Sequence, residues 1–205
     1  MAGVDEDGVR RMGIDEVGLL RECGQRVETK TRWRIEQAAG EEIRRCGKVR
    51  DFMIEALLKI RGKDEPELPL ALNRAQKEYS ERCHSRNIIL KARQLGMTTY
   101  IAARYFVQTI THPGVLTVQV AHNQESAEEI FGMVRRFWER LPEGMKERAL
   151  PTSYANSRQM VWPRLDSEYR VATAADANAG RGLTIHYLHC SEVARWPRGG
   201  EEVLA

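Results

Sequence analysis

No apolar run in the 205-residue chain approaches the roughly 18 residues of a membrane helix. The first residues, MAGVDEDGVRRMGIDEVG, lack the apolar core of a secretory signal, so the chain is expected to stay in the cytoplasm where it is made. Cysteine is scarce: Cys23, Cys46, Cys83 and Cys190 form no C-x-x-C pair and match no zinc framework, so they read as reduced thiols. Net charge is nearly absent, at +3 from 32 basic and 29 acidic residues, which removes charge alone as an argument for nucleic-acid binding. His186 and His189, three apart in TIHYLHCSE, would point to opposite faces of a strand, which argues against a metal site there. No internal repeat or low-complexity tract is present.

What is there divides in two. Residues 1–47 are rich in charge and glycine with weak periodicity, and read as a loosely ordered or helical extension. Residues 48–205 read as one α/β domain. Val49, Phe52, Met53, Ala56, Leu57 and Ile60 recur at helical spacing, predicting an amphipathic helix stopped by Gly62 and KDEPELP. A short helix is expected over 73–83.

From residue 87 strands and helices alternate. NIILK reads as a strand, TTYIAARYFVQTI as a helix and GVLTVQVA as a Val-rich strand. NQESAEEIFGMVRRFWERL reads as a helix with Asn123 or Gln124 near its cap and Glu125, Glu128 and Glu129 in its first turns, where they suit the helix dipole. RQMVWP, SEYRVATA and LTIHYLHC look like further strands. This alternation predicts a mostly parallel sheet covered on both faces by helices. Because the chain stops at Ala205, soon after the last strand, the sheet is expected to be incomplete at its C-terminal end and to keep an open edge.

The expected strand over 87–90 runs into Lys91, Ala92, Arg93, Gln94, Leu95, Gly96, Met97, Thr98 and Thr99, and a helix follows at once. Strand–loop–helix is the setting in which backbone N–H groups and a helix dipole cradle phosphates. Gly96 stands where the loop pattern has its last glycine, and Thr98 where it has the hydroxyl that ligates Mg²⁺. Two positions depart from G-x-x-x-x-G-K-[ST]: Lys91 replaces the first glycine and Met97 the lysine. Lys91, with Arg93 as a second cation, is the candidate for offsetting charge on a transferring phosphoryl group. As a bare pattern the segment reads equally well as a basic turn.

KARQLGMTT resembles the deviant Walker A loop of bacteriophage terminase large subunits, the ATPases that package DNA. In that family a Lys or Arg often opens the loop, an R-Q pair follows, and the loop ends G-x-[ST]-T. LPLALNRAQKEYSE resembles the family's adenine-side segment, in which Gln76 matches the glutamine that reads the base. TVQVAHNQESAEEIFGMVRRFWERLP and AGRGLTIHYLHCSEVARWP resemble the next strand–helix unit and the stretch leading through the acidic motif. The resemblance covers roughly residues 50–200. It implies a P-loop NTPase fold, ATP and Mg²⁺ as cofactors, double-stranded DNA as substrate, an oligomer at the portal, and portal protein and terminase small subunit as partners.

The resemblance also assigns the acidic motif. Glu192 falls on the catalytic carboxylate that would polarise the attacking water, and Ser191 replaces the metal-holding Asp, so that it would act through a metal-bound water. Arg181, in Gly-Arg-Gly, reads equally as a phosphate or DNA contact and as a solvated turn. Arg135, Arg136, Arg140, Lys146 and Arg148 suggest phosphate contact, but Glu139, Glu143 and Glu147 interleave with them and a solvated face is the better reading. Phe137 and Trp138 are expected to pack rather than stack on bases. Two rival functions remain: a truncated remnant or assembly module that binds nucleotide without turnover, and a helicase-like ATPase, against which Met97 and Ser191 both count.

Overall fold

Met53, Ile54 and Leu57, with Leu58 just beyond, are buried along one side of helix α1 (Cys46–Leu57), as their helical spacing requires. In the computed structural model, residues 46–62, 64–92, 94–149, 153–156, 158–176 and 182–197 are described. Nearly all of the expected extension over 1–47 falls outside them, as do Arg93 and Arg181. Helix α1 ends short of Ile60, which instead pairs with Leu68 where β1 (Lys59–Ile60) meets β2 (Leu68–Pro69) antiparallel. Gly62 closes the turn between them with its N–H on the Glu65 carbonyl at 3.0 Å, and a Cβ there would meet that carbonyl at 2.7 Å.

Helix α2 (Arg74–Arg82) starts at a capping box: the Asn73 side chain accepts the Gln76 N–H at 3.0 Å, and the Gln76 side chain accepts the Asn73 N–H at 2.9 Å. Helix α3 (Met97–Thr111) buries ten of its residues, including Tyr100, Ile101, Phe106 and Ile110. Helix α4 (Gln124–Glu139) is capped by Asn123, whose side chain accepts the Ser126 N–H at 2.9 Å, with Glu125 in the first turn. Phe137 and Trp138 do pack: they lie 5.8 and 5.9 Å, centroid to centroid, from Phe106 and Trp162. A π-helical turn (Met145–Ala149) follows and leads to the second half of the sheet.

That sheet contains β3 (Leu116–Ala121), β4 (Ser153–Asn156), β5 (Gln159–Trp162), β6 (Ser167–Thr173) and β7 (Tyr187–Cys190), in the order β4-β5-β6-β3-β7. The central strand β3 is parallel to both β6 and β7. The pairs β4–β5 and β5–β6 are antiparallel, so β4, β6, β3 and β7 run one way, as a mainly parallel sheet requires, and β5 alone is reversed. The connections after Asn156 and Trp162 are too short for a crossover and permit only antiparallel return.

Thr117, Gln119 and Ala121 on β3, Tyr169 and Val171 on β6, and Tyr187 and His189 on β7 share one face by register. The buried side chains of α1, α3 and α4 join this side in one core. The opposite face is smaller: Val118, Val120 and Ala174 pack with Leu116, Ile185 and Trp196. Helices on both faces are therefore not found among the described residues, because the apolar sides of α1, α3 and α4 all contribute to the same core.

The strand expected over 87–90 is absent. These residues have no ladder partner among the described residues, and the Ile88 and Leu90 side chains are fully exposed. A strand exists only through a neighbour that takes its N–H and C=O groups. The last strand also forms only over Tyr187–Cys190 of the expected 183–190, where it has β3 to pair with.

Candidate functional site

Helix α3 runs antiparallel to β3. Near its end Thr109 Oγ1 meets Thr117 Oγ1 at 2.8 Å, and earlier Tyr105 donates to the Leu188 carbonyl at 3.2 Å. Its N-terminus therefore lies at the carboxyl edge of the parallel strands. Helix α4 begins just after β3 and shares that edge. In open α/β sheets this edge is where ligands bind.

The loop before α3 is shaped for close backbone approach. Gly96, the N-cap, has φ 64° and supplies no side-chain cap, so the first-turn N–H groups of α3 are free of one. Gln94 also lies in the left-handed region, at φ 61°. Helix α2 holds the loop from beneath: Gln76 Nε2 donates to the Gly96 carbonyl at 3.0 Å, and Asn73 Nδ2 donates to the Leu95 carbonyl at 3.1 Å. The buried Gln76 amide thus serves its own helix cap with the oxygen and the loop with the nitrogen. Among the described residues these are the bonds of that amide's oxygen and nitrogen.

The other loop residues divide by exposure. Lys91, Ala92 and Gln94 are exposed, and Leu95, Thr98 and Thr99 are half-buried. Met97 is buried, so the position that carries a cation in the usual loop pattern here belongs to the core. Thr99 Oγ1 lies 3.4 Å from Met133 Sδ, which ties the first turn of α3 to α4. Burial, and secondly the positive charge of Lys91, push His189 down to about 4. His189 is thus neutral at pH 7, with Nδ1 2.6 Å from Gln119 Nε2, while Gln119 Oε1 accepts from buried Tyr169 at 2.6 Å. Its neighbour Cys190 has its thiol pushed up to about 11 by burial, which leaves it inert.

Glu192 leaves β7 at φ 52°, ψ 45°. Of the three non-glycine residues with positive φ among those described, Gln94 and Glu192 fall in the loop and the acidic motif, and the third, Asp166, lies in a turn. Such strain, about 1–3 kcal/mol each, collects at functional sites. Glu192 Oε2 accepts from Arg195 Nη1 at 3.0 Å. Ser191 is buried, with its N–H on the Val120 carbonyl at 2.8 Å and its own carbonyl accepting from Trp196 Nε1 at 3.0 Å.

His122 belongs to this edge although no motif in the sequence marks it. It follows β3, and its Nδ1 lies 3.5 Å from Glu192 Oε2. That nitrogen is buried with no hydrogen-bond partner among the described residues. An unpaired buried polar atom costs about 1–3 kcal/mol. A histidine directly after a Val-rich strand, at the carboxyl edge, was the available signal.

The basic residues of α4 and the turn after it are largely self-paired. Arg135 lies 3.7 Å from Glu139, Lys146 lies 2.6 Å from Glu143, and Arg140 pairs with Glu67. This is the arrangement of a solvated face. Among the described residues no three His, Cys, Asp or Glu side chains converge as a metal site, and no helix is long and apolar enough to cross a membrane. No protein-family model matches the chain, and no curated protein matches it.

Proposed function

We propose that this chain is an ATP-binding and ATP-hydrolysing domain of P-loop type, serving as the motor region of a phage terminase large subunit. One observation carries the reading: an α-helix N-terminus without a side-chain cap, opened by left-handed Gly96, shares the carboxyl edge of the sheet with Glu192. Free N–H groups and the helix dipole suit phosphate oxygens, and a carboxylate at the same edge suits activation of water.

In this reading the loop residues from Lys91 to Thr99 wrap the phosphates with their backbone. Lys91 and Arg93 neutralise charge on the transferring phosphoryl group. Gln76 borders the adenine side. Glu192 takes a proton from water as its oxygen attacks the γ-phosphorus, the bond to the β–γ bridging oxygen breaks, and ADP leaves. Mg²⁺, when bound, would supply positive charge to offset that of the phosphates. The hydroxyls of Thr98 and of Ser191, through a water, offer hard oxygen donors of the kind this ion takes. Double-stranded DNA would be the substrate moved, with portal protein, small subunit and further copies of the chain as partners, in the cytoplasm of the bacterial host.

A second reading, nucleotide binding without turnover, is favoured by the Arg195 bond on Glu192 and by residues 87–90 standing off the sheet. One experiment separates the two. ATP binding and hydrolysis are measured with and without duplex DNA for the unmodified chain, Lys91→Ala and Glu192→Gln. Turnover lost in both variants, with binding kept in Glu192→Gln, is expected for a working site. Binding without turnover in the unmodified chain favours the second reading, and no binding under any Mg²⁺ condition refutes both.

A further inference from the structure

We infer that His122 is a positioning residue for Glu192, and that His122 and Arg195 compete for the same carboxylate oxygen, Oε2, which lies 3.5 Å from His122 Nδ1 and 3.0 Å from Arg195 Nη1. The inference rests on the ATP-hydrolysis reading, in which Glu192 activates water. The sheet itself sets up the pair. Val120 and Cys190 are register partners on adjacent parallel strands, and the Ser191 N–H bonds the Val120 carbonyl at 2.8 Å. Continuing that register by two residues puts His122 beside Glu192 on the same face.

The two side chains differ in freedom. The His122 side chain is 11% exposed and the Glu192 side chain 41%, so Glu192 is the one that moves. His122 Nδ1 waits unpaired at 3.5 Å. A small rotation of the carboxylate closes that gap to a charge-assisted hydrogen bond with the ring N–H as donor. The competing partner is Arg195, 63% exposed in the 3₁₀ turn Val193–Arg195, and a surface pair of this kind holds weakly. Bound to His122, the carboxylate stays at the carboxyl ends of β3 and β7. The Arg195 bond at 3.0 Å occupies the oxygen that His122 would otherwise hold. Arg195 therefore restrains the group and His122 sets it for work.

The test compares the full chain with His122→Ala, His122→Gln and Arg195→Ala, measuring ATP affinity and kcat separately. His122→Ala is expected to lower kcat roughly 100-fold, as a mispositioned catalytic group does, with affinity unchanged. His122→Gln keeps a donor and is expected to recover most of that loss. Arg195→Ala is expected to raise kcat by about two- to five-fold, the worth of an exposed ion pair. Unaltered kcat in His122→Ala, affinity falling in step with kcat, or a Gln variant no better than Ala overturns the inference and leaves the ATPase reading standing. Absence of nucleotide binding in the unmodified chain overturns that reading, and the inference falls with it. If the unmodified chain binds ATP without turnover, the ring ¹⁵N resonances of His122 decide: a shift on Glu192→Gln supports the pair, and none refutes it.

Discussion

Gly96→Ala strikes the point where helix α2 meets the phosphate-type loop. A Cβ at residue 96 would lie 2.9 Å from Gln76 Nε2, and the backbone there has φ 64°. The left-handed conformation costs an alanine about 1–2 kcal/mol. Gln76 is buried and its amide is held at both ends, so relieving the clash means breaking its 3.0 Å bond to the Gly96 carbonyl. That adds about 0.5–1.5 kcal/mol. Together they predict a loss of about 1.5–3.5 kcal/mol, seen in urea unfolding as a lower midpoint with an unchanged slope. The steric share vanishes when the glutamine is absent. In a Gln76→Ala background, Gly96→Ala is therefore expected to cost only the conformational part, leaving a coupling of about 1 kcal/mol in the double-mutant cycle. A cost under about 0.5 kcal/mol for Gly96→Ala, or additive effects in the cycle, would refute the claim that Gln76 and Gly96 hold one another.

Three further outcomes follow from the same geometry. Met97→Lys, which restores the residue of the usual loop pattern, is expected to destabilise by about 3–5 kcal/mol because the side chain enters the core and leaves a buried charge unpaired, while Met97→Leu stays under about 1.5 kcal/mol. A Met97→Lys protein as stable as the original in thermal melts would show that this side chain faces the loop instead. His189, held at about 4 against 6.5 in an unfolded chain, takes its proton first in the unfolded state as pH falls, so its contribution is complete above pH 6.5 and is lost by up to roughly 3 kcal/mol toward pH 4. Stability curves of the original and His189→Gln proteins should converge over that window, and parallel curves would remove His189 as the cause. Gly62→Ala forces a Cβ against the Glu65 carbonyl at 2.7 Å, so a lower melting temperature is expected and an unchanged one would show that the β1–β2 turn yields freely.

Local chemistry made much of the chain legible without a structure. The 3.6-residue recurrence of Met53 and Leu57, the cap at Asn123 and the Val-rich run ending at Ala121 each declare themselves within a few residues, because capping and burial periodicity depend on near neighbours. The Gly96 turn into α3 was readable for the same reason, since a left-handed residue before a helix calls for glycine.

Distant partners decided the rest. Residues 87–90 have a strand's composition, yet a strand needs a neighbouring ladder and none is present among the described residues. Burial of Met97 depends on the core assembled by α1, α3 and α4, which no local pattern encodes. Gln76 was readable as an upstream glutamine, but its grip on Gly96 needs the tertiary approach of two helices. The pairing of His122 with Glu192 spans two strands separated in sequence by α4, β4, β5 and β6. Only the parallel register of β3 and β7 makes them neighbours, because inter-strand hydrogen bonds align positions that the chain itself keeps far apart.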